Sequence, residues 1–446
     1  MKATKRALII AILAILCIGM VFANGSDEKA KATGNDSGKS TELVTTIKKP
    51  ITIEFWHYLS STHGKCMEEL TKEFNETVGK EKGITVVQVY QGNSSDTRSK
   101  VIGAIKTKNA PAVIQTSEQF LLDYINAGVV VDLTPYIYDE NVGMDDWDDV
   151  IEAYRTQASS YGVPGIYDVP FCKSTEVLYY NKDLFEANNI EVPTTWKELE
   201  EVSAKLTAIT GAPSLGYDNT YNLFITLCKQ FGGDFTNEKG DLLFAESDAA
   251  LKGLTMFNDN VKKGLWRLAG EDLFFSGPFA SGKVPMYIGH TTESGYIKMK
   301  DPHFTWSAAP IPQQDPNNKC VVATGNMLAA LNSKGDPEVS YAAYEYLKFM
   351  ISKQADLAMT LASGYIPVRY STFENPEFKA YVESGADDGK IAGPSQSDFF
   401  YCAPSFIRDT YSSATLYTEI KNMMSNVLEG GQDPKAAIQE MIGRLK

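Results

Sequence analysis

The sequence predicts an α/β protein of two lobes, each a mainly parallel sheet flanked by helices. Three observations predict it. From residue 51 onward, short apolar runs alternate with amphipathic stretches, which is the signature of strands joined by crossover helices. At 446 residues the chain exceeds what one ordinary core accommodates. No low-complexity linker and no repeat of solenoid length interrupts residues 50–446, so ordered chain joins the lobes, an arrangement that suits a hinge.

The first segment is not part of either lobe. Lys2, Lys5 and Arg6 precede an apolar run from Ala7 to Ala23, and Val21-Phe22-Ala23 offers small residues to a peptidase, so residues 1–23 read as a secretory signal. An uncleaved membrane anchor is the alternative, because the run is near the lower limit for a spanning helix. Cys17 raises lipid attachment, although Leu16 stands where a lipidation motif has a small residue. Residues 24–49 are rich in Gly, Ser, Thr, Lys, Asp and Asn and form a flexible leader. A leader of this length suits a tethered protein. The expected location is periplasmic or extracellular, with tethering as a lipoprotein an open alternative.

Ile51–Tyr58 is the first strand, and Met67, Leu70, Phe74 and Val78 form the inward stripe of the helix that follows. Ile84–Tyr90 is a second strand. Asp96–Lys106 is a helix with Val101, Ile102 and Ile105 inward, stopped by Asn109-Ala110-Pro111. Ala112–Gln115 is a third strand, and Ser117 caps a helix burying Phe120, Leu121, Tyr124 and Ile125. Residues 169–185 read VPFCKSTEVLYYNKDLF, two apolar runs around a polar break from Cys172 to Glu176. Thr195 and Glu198 make a capping box for a helix that buries Trp196, Leu199, Val202 and Leu206. Asp336-Pro337 and Asp433-Pro434 each supply an N-cap and a first-turn proline, and Ser352 starts a further helix that ends at Ser363-Gly364.

Composition narrows the function. The formal net charge of −14 argues against nucleic acid and anionic membrane as partners. The six cysteines fall at 17, 66, 172, 228, 320 and 402 without a CxxC, which reads as scattered thiols rather than a disulfide framework. Gly34–Thr41 (GNDSGKST) ends like a phosphate-binding loop, but its first glycine is one residue too close and no strand precedes it. The acidic run Asp145–Asp149 lacks the alternating ligands and the glycine of a calcium loop. His57, His63, His290 and His303 show no zinc spacing, and no GxSxG occurs, so no metal, cofactor or catalytic motif is expected. A secreted glycoside or phosphoester hydrolase is the enzyme alternative, and it needs facing carboxylates or a metal. Tyr58, Tyr90, Tyr221, Phe224, Tyr287 and Tyr365 lie at strand ends and loops, where rings beside polar groups serve polyol-like ligands or simply fill cores.

Several stretches, in order, carry a resemblance: Ile53-Glu54-Phe55-Trp56-His57, Tyr90-Gln91-Gly92-Asn93, Asn109 to Gln115, Pro170-Phe171 through Asp183, Pro193 to Trp196, and Ser363-Gly364-Tyr365-Ile366-Pro367. The chain from about residue 50 resembles the extracellular solute-binding proteins (family 1) of ABC importers, nearest the periplasmic glycerol-3-phosphate-binding branch. The resemblance implies a two-lobed periplasmic-binding-protein clamp with a multi-strand hinge crossed near Pro170–Lys173, Ala309–Pro312 and Ile351–Gln354. Lobe 1 is then 50–170 plus 311–353, and lobe 2 is 171–310 plus 354–446. It implies no enzyme activity, a monomer, and two partners: a membrane permease and a small polyol, glycerophosphate or sugar. It carries ligand roles to Glu118, Ser174, Tyr221, Phe224, Gly325 and Tyr365. The branch's C-terminal arginine lands near Tyr417, with Arg408 the nearest arginine upstream, and a tyrosine of the branch is Ser94. His290, Arg408 or a helix N-terminus is left to hold a phosphate. The implied solute is glycerol 3-phosphate or a glycerophosphodiester, with a neutral sugar or oligosaccharide as the alternative.

Overall fold

A computed structural model describes residues 43–384, 392–408 and 410–446. The signal segment, Cys17, the phosphate-loop look-alike and most of the leader lie outside the described residues. Among the described residues no helix is long and apolar enough to cross a membrane.

The strands are β1 Ile51–His57, β2 Ile84–Tyr90, β3 Val113–Thr116, β4 Val169–Asn181, β5 Leu215–Tyr217, β6 Trp266–Leu268, β7 Met286–His290, β8 Trp306–Pro310, β9 Val321–Ala330 and β10 Phe400–Tyr401. They form one mixed sheet in the order β2-β1-β3-β9-β4-β7-β5-β6, with β10 beside β9 and β8 beside β4. The outer strands are parallel: β1 with β2 and β3, and β5 with β6 and β7. The central ones are antiparallel: β9 pairs with β3 and β4, and β4 with β7 and β8. Each lobe is thus a small parallel βα unit, and two long antiparallel strands run through both.

The principal helices are α1 Ser61–Glu76, α2 Ser94–Lys106, α3 Glu118–Asn126, α4 Glu152–Ala158, α5 Trp196–Thr210, α6 Thr220–Gln230, α7 Ala249–Lys262, α8 Ser294–Met299, α9 Pro337–Met350, α10 Lys353–Ala362, α11 Ser413–Leu428 and α12 Pro434–Leu445. The local signals hold. The Thr195/Glu198 capping box is complete, and Asp336, Ser352 and Asp433 each accept from a first-turn N–H. Ser117 is the N-cap of α3 but makes no side-chain cap bond.

One core packs Phe55, Met67, Phe74, Tyr344 and Tyr346, and a second packs Leu223, Phe224, Phe257, Met286 and Met424. Ala355, Met359 and Val368 belong to the first core, although residues 354–446 were expected in the second lobe. The reason is local: α10 continues from α9 and packs on α1. Conversely Ile311, Val321 and Val322 lie in the second core, because β9 begins there before crossing. We propose that the lobe changes fall within β4, within β9 and beyond Phe373. In the acidic run, Asp146 and Asp149 pair with the buried Arg369 at 3.1 and 3.2 Å.

Candidate functional site

The polar break in β4 is a β-bulge. The register with β9 shifts between Phe171 and Lys173, and Cys172 takes a positive φ of 52°. Gly325 of β9 answers it with φ 132°, and a Cβ there would lie 2.4 Å from the Cys172 carbonyl oxygen. A bulge re-aims the side chains beyond it. Lys173 donates to Gln157 Oε1 of α4 at 2.8 Å, and Ser174 Oγ lies 3.1 Å from Thr291 Oγ1. Thr175 donates to the Val322 carbonyl at 3.0 Å, and Glu176 accepts from Tyr217 at 2.6 Å. Four consecutive side chains thus pass from first-lobe to second-lobe partners.

Beside this crossing lies a cavity of about 140 Å³. The first lobe contributes Glu118 and Gln119 from α3 and Gln157 from α4; β9 contributes Val322, Ala323 and Thr324. The second lobe contributes Asn219, Tyr221 and Asn222 at the start of α6, together with Ser405, Ser413 and Tyr417. The Tyr221 and Tyr417 rings pack at 4.8 Å, tilted by 52°. Asn219 caps α6 by accepting from the N–H groups of Tyr221 and Asn222. Burial raises the Glu118 carboxyl above the usual carboxylate range, and Lys173 pulls it partly back. Burial also raises the Tyr221 phenol, with the charge of Glu118 adding to the effect.

Glu118 acts electrostatically on Tyr58 as well, which connects the cavity to a second cluster. There Tyr58 donates to Asn326 at 2.6 Å, and the half-buried Tyr365 packs against His63 with ring centroids 5.4 Å apart. Gly364 sits so close to Thr292 that a Cβ would lie 2.7 Å from its Cα, so the SGYIP turn touches the 291–293 turn of the second lobe. Burial lowers the His290 imidazole to about 4, leaving it neutral near pH 7.

Of the residues expected to contact a ligand, Glu118 and Tyr221 line the cavity and Tyr365 lies in the linked cluster. Four others make contacts within the protein. Phe224 is fully buried against Phe235 and Phe244, one turn deeper along α6 than Tyr221. Gly325 serves the bulge. Ser174 is buried against Thr291 and His290 Nδ1, the latter at 3.5 Å. Arg408 is spent on Gly240 and Asp241, at 3.1 and 3.4 Å. Arg408 and His290 are not among the residues that line this cavity. The sequence did not single out the lining residues Gln157, Asn219 and Asn222, and it marked Tyr417 only as the place of the branch's arginine. Only Asn219 carried a signal, as an Asn directly before a helix.

Behind the second-lobe wall lie buried acids. Glu176 is fully buried, and burial pushes its carboxyl up to about 8. Asp218 and Glu293 face each other and are both raised by burial. Among the described residues no His, Cys, Asp and Glu group forms a metal site, and Cys66, Cys172, Cys228, Cys320 and Cys402 are free thiols.

Comparison with known proteins adds independent findings. Residues 69–386 match the family model of the bacterial extracellular solute-binding protein. The sn-glycerol-3-phosphate-binding periplasmic protein of Salmonella typhimurium is 26% identical over 360 residues, 75% of this chain and 79% of its own. Its counterpart from Rhizobium meliloti is 25% identical over 349 residues, 74% of this chain and 78% of its own. Among solved structures, the cyclic α-maltosyl-1,6-maltose binding protein of Arthrobacter globiformis superposes with a TM-score of 0.76 at 18% identity, covering 89% of this chain and 98% of that one. The Mycobacterium tuberculosis UgpB bound to glycerophosphocholine gives 0.72 at 19% identity, covering 88% and 97%.

Proposed function

We propose, for a chain that belongs to the bacterial extracellular solute-binding proteins, that it is the solute-capturing subunit of an ABC importer and closes on a small neutral polyhydroxylated solute for delivery to a membrane permease. The observation that carries the choice of solute is the cavity lining. Carboxyl, amide and hydroxyl groups and two tyrosine rings face it, with no Lys, Arg or His among the described residues that line it. Hydroxyls donate to Glu118 and exchange hydrogen bonds with the amides, while a sugar face stacks on Tyr221 and Tyr417. A phosphate asks instead for a guanidinium fork or a cluster of N–H donors. Closure is a population shift toward the state in which both lobes contact the solute.

A second reading, glycerol 3-phosphate or a glycerophosphodiester, is favoured by the relatives at 25–26% identity. It is also favoured by the first turn of α6, which opens on the cavity and supplies a positive dipole end. A thermal-shift screen tests both, since a ligand that binds only the folded state raises the melting temperature. The panel is glucose, maltose, glycerol, glycerol 3-phosphate and glycerophosphocholine. A shift with the neutral sugars alone is expected. A shift with the phosphorylated glycerols alone refutes the neutral-solute reading and leaves the transport role standing. Turnover of a chromogenic glycoside or phosphoester in place of binding refutes that role. Glu118→Ala is expected to weaken binding of the active solute by roughly 10- to 100-fold, the worth of a hydrogen bond to a charged group. Unchanged affinity by calorimetry removes Glu118 from the site.

A further inference from the structure

The Lys173 ammonium donates to Gln157 Oε1 at 2.8 Å and lies 5.2 Å from the centroid of the Tyr154 ring. It is 1% exposed and Gln157 is 5% exposed, so bulk water does not compete for the contact. An ammonium carries three donors and no acceptor. It therefore tolerates only the oxygen edge of the amide, and that fixes which edge of Gln157 faces away from it. Gln157 lines the cavity, as does Glu118, which also lies within electrostatic reach of Lys173.

We propose that Lys173 is a positioning residue that sets the hydrogen-bond polarity of the cavity: by holding Gln157 Oε1 it turns the amide N–H edge toward the solute, across from the acceptor edge of Glu118. A free amide rotates to suit either a donor or an acceptor. A locked one does not, and a mispaired buried group costs on the order of 10- to 100-fold in affinity. The site then reads two hydroxyls of one solute in opposite senses, one donating to Glu118 and one accepting from Gln157. Lys173 immediately follows the bulge, and its carbonyl accepts from Ile366 N at 2.9 Å, so the hinge strand itself sets the lock. This inference rests on the neutral-solute reading above.

The first test needs no solute. A ¹⁵N spectrum of the whole protein is expected to show a protected lysine ammonium that disappears in Lys173→Met and moves by more than its linewidth in Gln157→Leu. An ammonium signal that ignores Gln157→Leu overturns the proposal. The second test is calorimetric titration of Gln157→Glu with maltose and glucose. This variant keeps an oxygen for Lys173 but offers the cavity an acceptor in place of a donor. A melting temperature at or above that of the unsubstituted protein, with affinity lowered at least tenfold, supports the lock; unchanged affinity overturns it. If neither sugar binds the unsubstituted protein, the solute reading fails, and the ammonium signal alone decides the Lys173–Gln157 arrangement.

Discussion

Glu176→Gln is expected to stabilise the protein increasingly as pH rises. Glu176 is fully buried, one carboxyl oxygen accepts from Tyr217, and burial raises its pKa from 4.5 to about 8. An acid with a raised folded pKa keeps its proton in the native chain at pH values where the unfolded chain has lost it. Stability is therefore fullest below the unfolded value of 4.5 and falls as pH rises toward the folded value of about 8. At about 1.36 kcal/mol per pKa unit, the accumulated penalty is about 1 kcal/mol at pH 5 and about 4 kcal/mol at pH 8. Glutamine has nearly the same shape, still accepts from Tyr217 and does not titrate. The other raised acids, Glu118, Asp168, Asp218, Glu293 and Asp356, are common to both proteins and largely cancel in the difference. The assay is urea unfolding from pH 5 to 8, followed by circular dichroism and tryptophan fluorescence. Coincident transitions license a single free energy for a two-lobed chain, and Trp196 and Trp266 report on the lobe that holds Glu176. The unsubstituted protein should lose about 3 kcal/mol more than Glu176→Gln over that range. Parallel pH profiles would refute the assignment of a buried, neutral Glu176.

Three further outcomes are expected. Gly325→Ala places a Cβ against the Cys172 carbonyl at a φ of 132° and should cost roughly 3 kcal/mol in urea unfolding; a cost under about 1 kcal/mol means the bulge relaxes freely. Arg408→Ala removes a partly exposed ion pair with Asp241, so stability should change by less than about 1 kcal/mol and solute affinity should not change; a large affinity loss would return Arg408 to the site. Arg369→Met leaves Asp146 and Asp149 without their buried partner and should cost roughly 3 kcal/mol, which differential scanning calorimetry measures.

What was legible in the sequence was local. A capping box, an Asp-Pro pair or a helical stripe is decided within a few residues, and the corresponding helices appear where those signals stand. The site depends on longer distances. The bulge at Cys172 needs Gly325, a residue of another strand, so its place could not be read from β4 alone. Tyr221 and Phe224 looked equivalent, yet three residues of helix rise about 4.5 Å, enough to separate a cavity wall from a packed core. Gln157 sits in the unremarkable stretch Glu152–Ala158 and gains its role only through Lys173. The one hint of that role was the polar break itself.

The same break locates the bend. Within the two strands that run through both lobes, the register slips only where Cys172 and Gly325 meet, and both take positive φ there. On either side the ladders are regular, from Val169 to Phe171 and from Lys173 to Thr175 with β9, and beyond Glu176 with β7. A rotation between lobes concentrates where the fewest backbone hydrogen bonds must be strained, which is the bulge. Lys173 and Ser174 stand one and two residues past it, bonded to α4 and to the 291–293 turn respectively. The change from a first-lobe to a second-lobe partner therefore falls between Lys173 and Ser174, directly past the bulge. We expect opening to part Tyr221 and Asn222 of the second lobe from Glu118 and Gln157 of the first, with Lys173 remaining on its amide. On that expectation the first-lobe half of the site would be already oriented when it meets a solute, and ordering on closure would fall mainly on the second lobe.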